Sequence, residues 1–380
     1  MKWDKLITGI AFFTLLAVLS LATIFLPKTS FSQMENRELA EFPKFSINNL
    51  LSTNYMNGID TYVADHFVGR DAWVGLKGDI EKAGGKQENN GIFICDNRLI
   101  ARLDEPNDRI VVNSIEAITN FAHTTGITPY LMLVPTAVEI QSHYLPAYAT
   151  ATTWSQQEFV ESVYDRLEGI VTPINLFPSF LTRQDDYLFY RTDHHWTSEG
   201  AYLAYVAAEE ALSYNALVMG VFDVETASNN FYGTLYSKAG YRRIQPDSVK
   251  IYSSTVEGRD PVTRCYAYDG QVVKEYESIY FREFLNEKDQ YRLFLGQNEP
   301  VVTIEANAKS GNRLLIIKDS YANSFAPFMV SHFDEITLVD LRYINSSFQD
   351  YVDLDRYTHV LILYNVENFS SNTDLAKIDW

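Results

Sequence analysis

Apolar and polar positions change period several times along this chain, and each change predicts an element. Leu6 to Leu26 is an uncharged run of 21 residues, which as a helix reaches about 30 Å, the thickness of a hydrocarbon core. Residues 27–49 are polar and rich in turn formers, the pattern of a stalk, and from residue 50 to 380 the texture is globular. Ala64 to Lys82 predicts a helix interrupted near Gly69. Ile110, Val111, Ile115, Ile118 and Phe121 recur at helical spacing within 109–125. Ile127 to Val134 is a short apolar run stopped by Pro135, as expected of a strand buried on both faces. Residues 155–169 predict another helix, and Thr197 is placed to N-cap a helix running to about Ser213, with Glu199 in its positive first turn. Between about 217 and 305 the helical period fades and short alternating runs such as Ser248–Tyr252 predict an irregular, β-leaning insertion. Arg313–Ile317, Glu335–Val339 and His359–Tyr364 then predict parallel strands joined by crossover helices, so the fold class is α/β.

Composition narrows what such a fold does. With 46% hydrophobic and 21% charged residues the chain is built to bury a core. Its 49 acidic against 31 basic side chains, a net −18, argue against non-specific binding to nucleic acid or anionic lipid, which needs cationic side chains facing phosphates. No Walker loop, GxGxxG or zinc-finger spacing is present, so no nucleotide cofactor is expected. Lys2 and Lys5 ahead of the apolar run predict a cytoplasmic N-terminus and an exported remainder. Residues 1–26 fit two readings, a retained transmembrane anchor or a signal peptide cleaved after the small-x-small string Ser20-Leu21-Ala22. Both export the domain. Cys95 and Cys265 are the whole cysteine complement, too few for a disulfide framework, and a pair or two free thiols fit equally.

Reactive side chains concentrate in two places. One is Arg191-Thr192-Asp193-His194-His195-Trp196-Thr197, just before a predicted helix; the other is Lys318-Asp319-Ser320-Tyr321, just after a predicted strand. Open α/β sheets form sites beyond the carboxyl ends of their strands, where Ser320 falls. A serine hydroxyl needs a base to take its proton, and His195 can be that base with Asp193 orienting it. In an extended segment Asp193 and His195 share one side and His194 points away. The bland alternatives are a helix-capping serine and a surface or metal-ligating histidine pair. The other histidines, His66, His123, His143, His332 and His359, show no ligand spacing to that pair, so no metal is expected.

The string TDHHWTSEGAY resembles the signature of the bacterial DHHW protein family, itself similar to the SGNH-hydrolase-like O-acetyltransferases of alginate biosynthesis. Glu35-Asn36-Arg37 with Phe42-Pro43, Asp65-His66-Phe67 with Arg70-Asp71, Val134-Pro135-Thr136, Lys318-Asp319-Ser320-Tyr321, Asp340-Leu341-Arg342-Tyr343 and Leu363-Tyr364-Asn365 extend the resemblance over about 35–370. It implies an SGNH-like (flavodoxin-like) parallel sheet with a permuted motif order, and a Ser320–His195–Asp193 triad that transfers or hydrolyses acetyl groups on polysaccharide. A membrane-bound O-acyltransferase is the partner implied. Two positions depart from the family pattern. Lys318 replaces a glycine, so that either the turn differs or the lysine meets an anionic ligand, and Asn365, which takes the place of the oxyanion-hole asparagine, lacks its flanking Gly and Asp. Arg342 would bind a sugar hydroxyl or carboxylate, or form a surface ion pair. Trp196 would be a sugar platform or loop packing, and Tyr321 completes the substrate-binding candidates.

Overall fold

The computed structural model describes residues 2–32, 35, 37–149, 154–255, 258 and 260–379; Asn36 of the Glu35-Asn36-Arg37 motif lies outside them. The chain forms two compact units, 1–89 with 236–243 and 90–235 with 244–380.

The smaller unit is helical: α1 (Lys2–Phe25), α2 (Ile47–Leu51), α3 (Asn54–Asp65) and α4 (Arg70–Ala83). Trp3–Phe25 is long and apolar enough to cross a membrane and is exposed along its length. The break expected near Gly69 is real, because that residue takes a left-handed φ of 68° between α3 and α4, a conformation glycine adopts without a Cβ penalty. Family-motif residues tie this unit together. Buried Asp65 accepts bonds from Arg37 (2.5 and 3.0 Å) and from the Ala40 N–H (2.9 Å), while Arg70 reaches Glu35 at 2.6 Å. The Arg37 hydrogen bond, working against burial and helped by the Ala40 N–H, lowers the Asp65 carboxyl to about 2.

The larger unit opens with the hairpin β1 (Ile92–Cys95) and β2 (Arg98–Ala101), then α5 (Asp108–Thr125), β3 (Tyr130–Val134), α6 (Gln156–Arg166), β4 (Thr172–Pro173) and α7 (Ser198–Ala207). Next come β5 (Asp223–Phe231), β6 (Asp247–Ser253), β7 (Val262–Tyr268), β8 (Val273–Tyr276), β9 (Val301–Ala306) and β10 (Arg313–Lys318). α8 (Ala322–Met329), β11 (Glu335–Val339), β12 (His359–Asn365) and α9 (Val366–Ser371) complete it. One sheet of eight strands carries the order β8-β7-β9-β11-β10-β12-β3-β4. β11, β10, β12, β3 and β4 run parallel, and β9, β7 and β8 continue the sheet antiparallel. The central strands are buried almost throughout, which is why they read as unbroken apolar runs rather than alternations.

Three expectations change in detail. The helix capped by Thr197 stops at Ala207, and Ser213 takes a left-handed φ of 56°. Between β11 and β12 the crossover carries only the short 3₁₀ turns Phe348–Asp350 and Leu354–Arg356. The β-leaning stretch divides into the β5–β6 pair and strands that lengthen the main sheet. Cys95 and Cys265 are both buried, no disulfide joins them, and each packs among apolar side chains.

Candidate active site

β10 delivers Lys318, and the chain turns through Asp319-Ser320-Tyr321 into α8. Asp319 fixes this turn. Its carboxylate accepts the Tyr321 N–H (2.9 Å), the Asn365 N–H (2.8 Å) and the Asn368 amide (2.9 Å), so the serine turn is tied to the end of the neighbouring strand β12. Burial raises the Asp319 carboxyl even against those three donors.

The histidine loop is held differently. Phe189 and Trp196 bridge antiparallel, and residues 191–195 between them only bend. Asp247 on β6 supplies the missing order by accepting the Arg191 N–H (2.8 Å), the Thr192 N–H (2.8 Å), the Thr192 hydroxyl (2.5 Å) and the Tyr187 hydroxyl. Thr197 caps α7 by accepting the Gly200 N–H at 3.2 Å.

Loop and turn meet. His195 Nε2 lies 2.8 Å from Ser320 Oγ, and His195 Nδ1 lies 2.5 Å from Asp193 Oδ1, all three side chains being buried. The second Asp193 oxygen accepts the Thr234 N–H (2.8 Å) and hydroxyl (3.0 Å). Burial alone would raise the Asp193 carboxyl. The His194 and His195 charges, the His195 hydrogen bond and the Thr234 N–H outweigh it and hold that carboxyl well below the usual carboxylate range. An ionised Asp193 therefore keeps the Nδ1 proton in place and leaves Nε2 to accept from the serine, the arrangement of an alcohol activated by an oriented imidazole.

A protein-family model described as DHHW protein matches residues 35–125 and 106–339. The chain belongs to the DHHW family. Among solved structures, a DHHW family protein from Eubacterium siraeum superposes with a TM-score of 0.67 at 25% identity, covering 76% of this chain and 95% of that one. Bacillus cereus PatB1 gives 0.60 at 20% identity over 74% of this chain and 98% of that one. PatB1 with a sulfonyl adduct gives 0.62 at 22% identity over 74% and 97%. The likeness to PatB1 is one of fold. No curated protein matches the chain.

The family signature has a physical reading in this DHHW protein, and several sequence expectations need correcting. His194 does not point away. The loop is bent rather than extended, its ring lies 3.9 Å from the His195 ring, and its Nδ1 meets the Thr234 hydroxyl at 2.8 Å. Trp196 is fully buried and so is no sugar platform; its Nε1 donates to the Tyr321 carbonyl (3.0 Å) and to Ser324 (2.9 Å). Tyr321 is equally buried, and its hydroxyl donates to the His194 carbonyl. Lys318 faces an internal partner rather than an anionic ligand: buried, it sits 3.3 Å from Asp340 Oδ2. Arg342 is no surface pair and is taken by the same carboxylate at 2.6 and 2.8 Å. Burial lowers the Lys318 ammonium, with Asp340 opposing. Asn365 spends its Oδ1 on capping α9 through the Asn368 N–H (2.8 Å) and its N–H on Asp319.

Other residues of the site are not visible as motifs. Tyr291 stacks on the His195 ring at 3.7 Å and 9°, and its hydroxyl donates to the Ser320 carbonyl at 3.0 Å. Gly233 runs so close to Asp193 that a Cβ there would fall 2.3 Å from the carboxylate. Half-buried Asp289, adjoining Gln290 and Tyr291, has its carboxyl pushed up to about 6 by burial and then by the Asp193 charge. These residues, with Thr234 and Asp247, all lie in the stretch the sequence shows only as irregular; Phe231-Tyr232-Gly233-Thr234 closing a strand was the one signal available. Asp193, His194 and His195 also offer three ligand atoms within 4.8 Å of one another. Both His195 nitrogens are engaged by Asp193 and Ser320, so a metal there would have to displace one of them.

Proposed function

We propose that this chain is a membrane-tethered serine acyltransferase whose domain works outside the cytoplasm, moving acetyl groups onto hydroxyls of a polysaccharide. The observation that carries the chemistry is the unbroken relay from Ser320 Oγ to His195 Nε2 and from His195 Nδ1 to Asp193. Ser320 attacks the acyl carbonyl as His195 takes its proton; the tetrahedral intermediate collapses, and His195 returns the proton to the departing group. The acyl-serine is then attacked by an acceptor hydroxyl, whose proton passes to His195 and back to the Ser320 oxygen. Water in place of the sugar makes the same residues an esterase. Asp319 holds the backbone N–H groups of Tyr321 and Asn365, so we assign the oxyanion to the N–H of Ser320 together with the side-chain amide Nδ2 of Asn365. The likeness of the sequence motifs to the alginate O-acetyltransferases supports the substrate class, and an N-terminal helix of membrane-crossing length supports the tethering.

Incubation with p-nitrophenyl acetate and with a sulfonyl fluoride tests the reading. Ester cleavage that resists chelators, with a covalent sulfonyl mass on Ser320 that vanishes in Ser320→Ala, is expected. Absence of both would leave a non-catalytic polysaccharide-binding module on the same fold, and loss of activity with chelator would favour the metal.

A further inference from the structure

The smaller unit leaves most of its large apolar side chains at the surface. In a helix of a soluble protein the apolar stripe faces inward and the polar face meets water. α4 exposes both. Its buried positions are Gly75 and Gly78, and a Cβ on Gly78 would fall 2.6 Å from the Gly240 carbonyl. Trp73, Leu76 and Ile80, spaced to share one face, are instead 50%, 47% and 62% exposed. The same holds just upstream, where Ile47 and Leu51 of α2 are 69% and 79% exposed. Exposed apolar area this concentrated in one small unit marks an interaction surface.

The position of α1 argues for what covers it. The Val68 N–H donates to the Thr23 hydroxyl at 3.2 Å, so the α3–α4 turn is bonded to the last turn of the apolar helix. If α1 crosses a bilayer, Thr23 lies near the point where it leaves the hydrocarbon, and the start of α4 is set at that level. Trp73 begins the exposed stripe there, and tryptophan favours the depth of the lipid headgroups. Phe67, Trp73 and Val74 form the apolar part of a groove of about 420 Å³ where α3 meets α4, with Asp65, Arg70 and Lys77 as its charged lining. Charge is divided in the same sense. The smaller unit holds 12 basic and 10 acidic side chains, a net +2, while the larger unit holds 19 and 39, a net −20. The whole-chain value of −18 therefore says nothing against lipid at this unit.

We infer that α2 and α4 lie in the membrane interface, with Trp73, Leu76, Ile80, Ile47 and Leu51 among the lipid headgroups and upper acyl chains. The occupant is the bilayer surface itself, continuous with the lipid around α1. This rests on the tethering part of the proposed function, so the test reads α1 separately. The full chain is placed in bilayer discs of phosphatidylethanolamine and phosphatidylglycerol. Nitroxide labels are introduced through Leu76→Cys, Ile80→Cys, Leu15→Cys on α1, and Val272→Cys on the larger unit; the native thiols are buried. Labels at 15, 76 and 80 are expected to show an oxygen-to-nickel accessibility ratio several-fold above that at 272. Trp73→Phe should remove a distinct share of the fluorescence quenching by brominated lipid. A high ratio at 15 with water-like ratios at 76 and 80 overturns the inference, keeps the tether and assigns the surface to a protein partner. Water-like ratios at 15 as well overturn both.

Discussion

The two halves of the site are held by opposite means. Ser320 is positioned by a sheet: its turn leaves a strand paired on both sides, and Asp319 ties it to the next strand. His195 is positioned by side chains, since its loop has no ladder of its own and takes its shape from Asp247, Asp193, Thr234 and the Tyr291 ring. The difference teaches where each half is vulnerable. The strand turn adds the backbone bonds of its sheet to the one carboxylate of Asp319, whereas the loop, with few backbone bonds, leans on Asp247 and Asp193, each accepting several donors.

The largest effect expected is on the loop. Asp193→Asn keeps the shape but replaces the acceptor that fixes the His195 tautomer, and acetyl-ester turnover should fall on the order of 10⁴-fold. Retention of a tenth of the wild-type rate would show that the loop does not need this carboxylate. Gly233→Ala is next: the new Cβ overlaps Asp193 and displaces it, and misplacements of this size cost about 10²-fold in rate. A normal rate, with the fold verified by circular dichroism, would mean the neighbouring chain yields instead.

On the turn side the readout is stability. Lys318→Ala leaves the buried Asp340 to Arg342 alone, and unfolding by urea should show a loss of about 3 kcal/mol with KM unchanged. A raised KM at unaltered stability would return Lys318 to the substrate. The smallest effect concerns Asp289. Its carboxyl is higher folded than unfolded, so the native state binds the extra proton; the stability this group lends is full below about pH 4 and is lost as pH rises through about 6. Asp289→Asn should flatten that part of the urea-midpoint profile, and an unchanged profile would place the proton elsewhere.

The same contrast decided what was legible in the sequence. Arg313–Ile317 reads as a strand because both its faces are covered, and a serine just beyond such a strand is conspicuous. Asp193 and His195 were visible through their spacing and the family string. Their supports were not, because Gly233, Asp247 and Tyr291 come from a stretch with weak alternation, and only three-dimensional proximity marks them. The expectation that His194 points away failed for a related reason: it assumed extended backbone, and Asp247 bends the loop instead. Lys318 looked like a ligand-binding cation until Asp340 appeared beside it, since a buried counter-ion 22 residues away leaves no local pattern, whereas Arg342 pairs with the same carboxylate two residues away, inside a string the sequence already displays.

Trp196 reaches across to the Tyr321 carbonyl, and Tyr321 reaches back to the carbonyl of His194. Such mutual clasping means that neither strand of polypeptide can swing aside without pulling the other along, so the reacting groups stand ready before any guest arrives. On the proposed reading, energy released when a guest docks is then free for discriminating one acceptor from another, and that choice would be written in the outer walls around this clasp, not in the clasp itself.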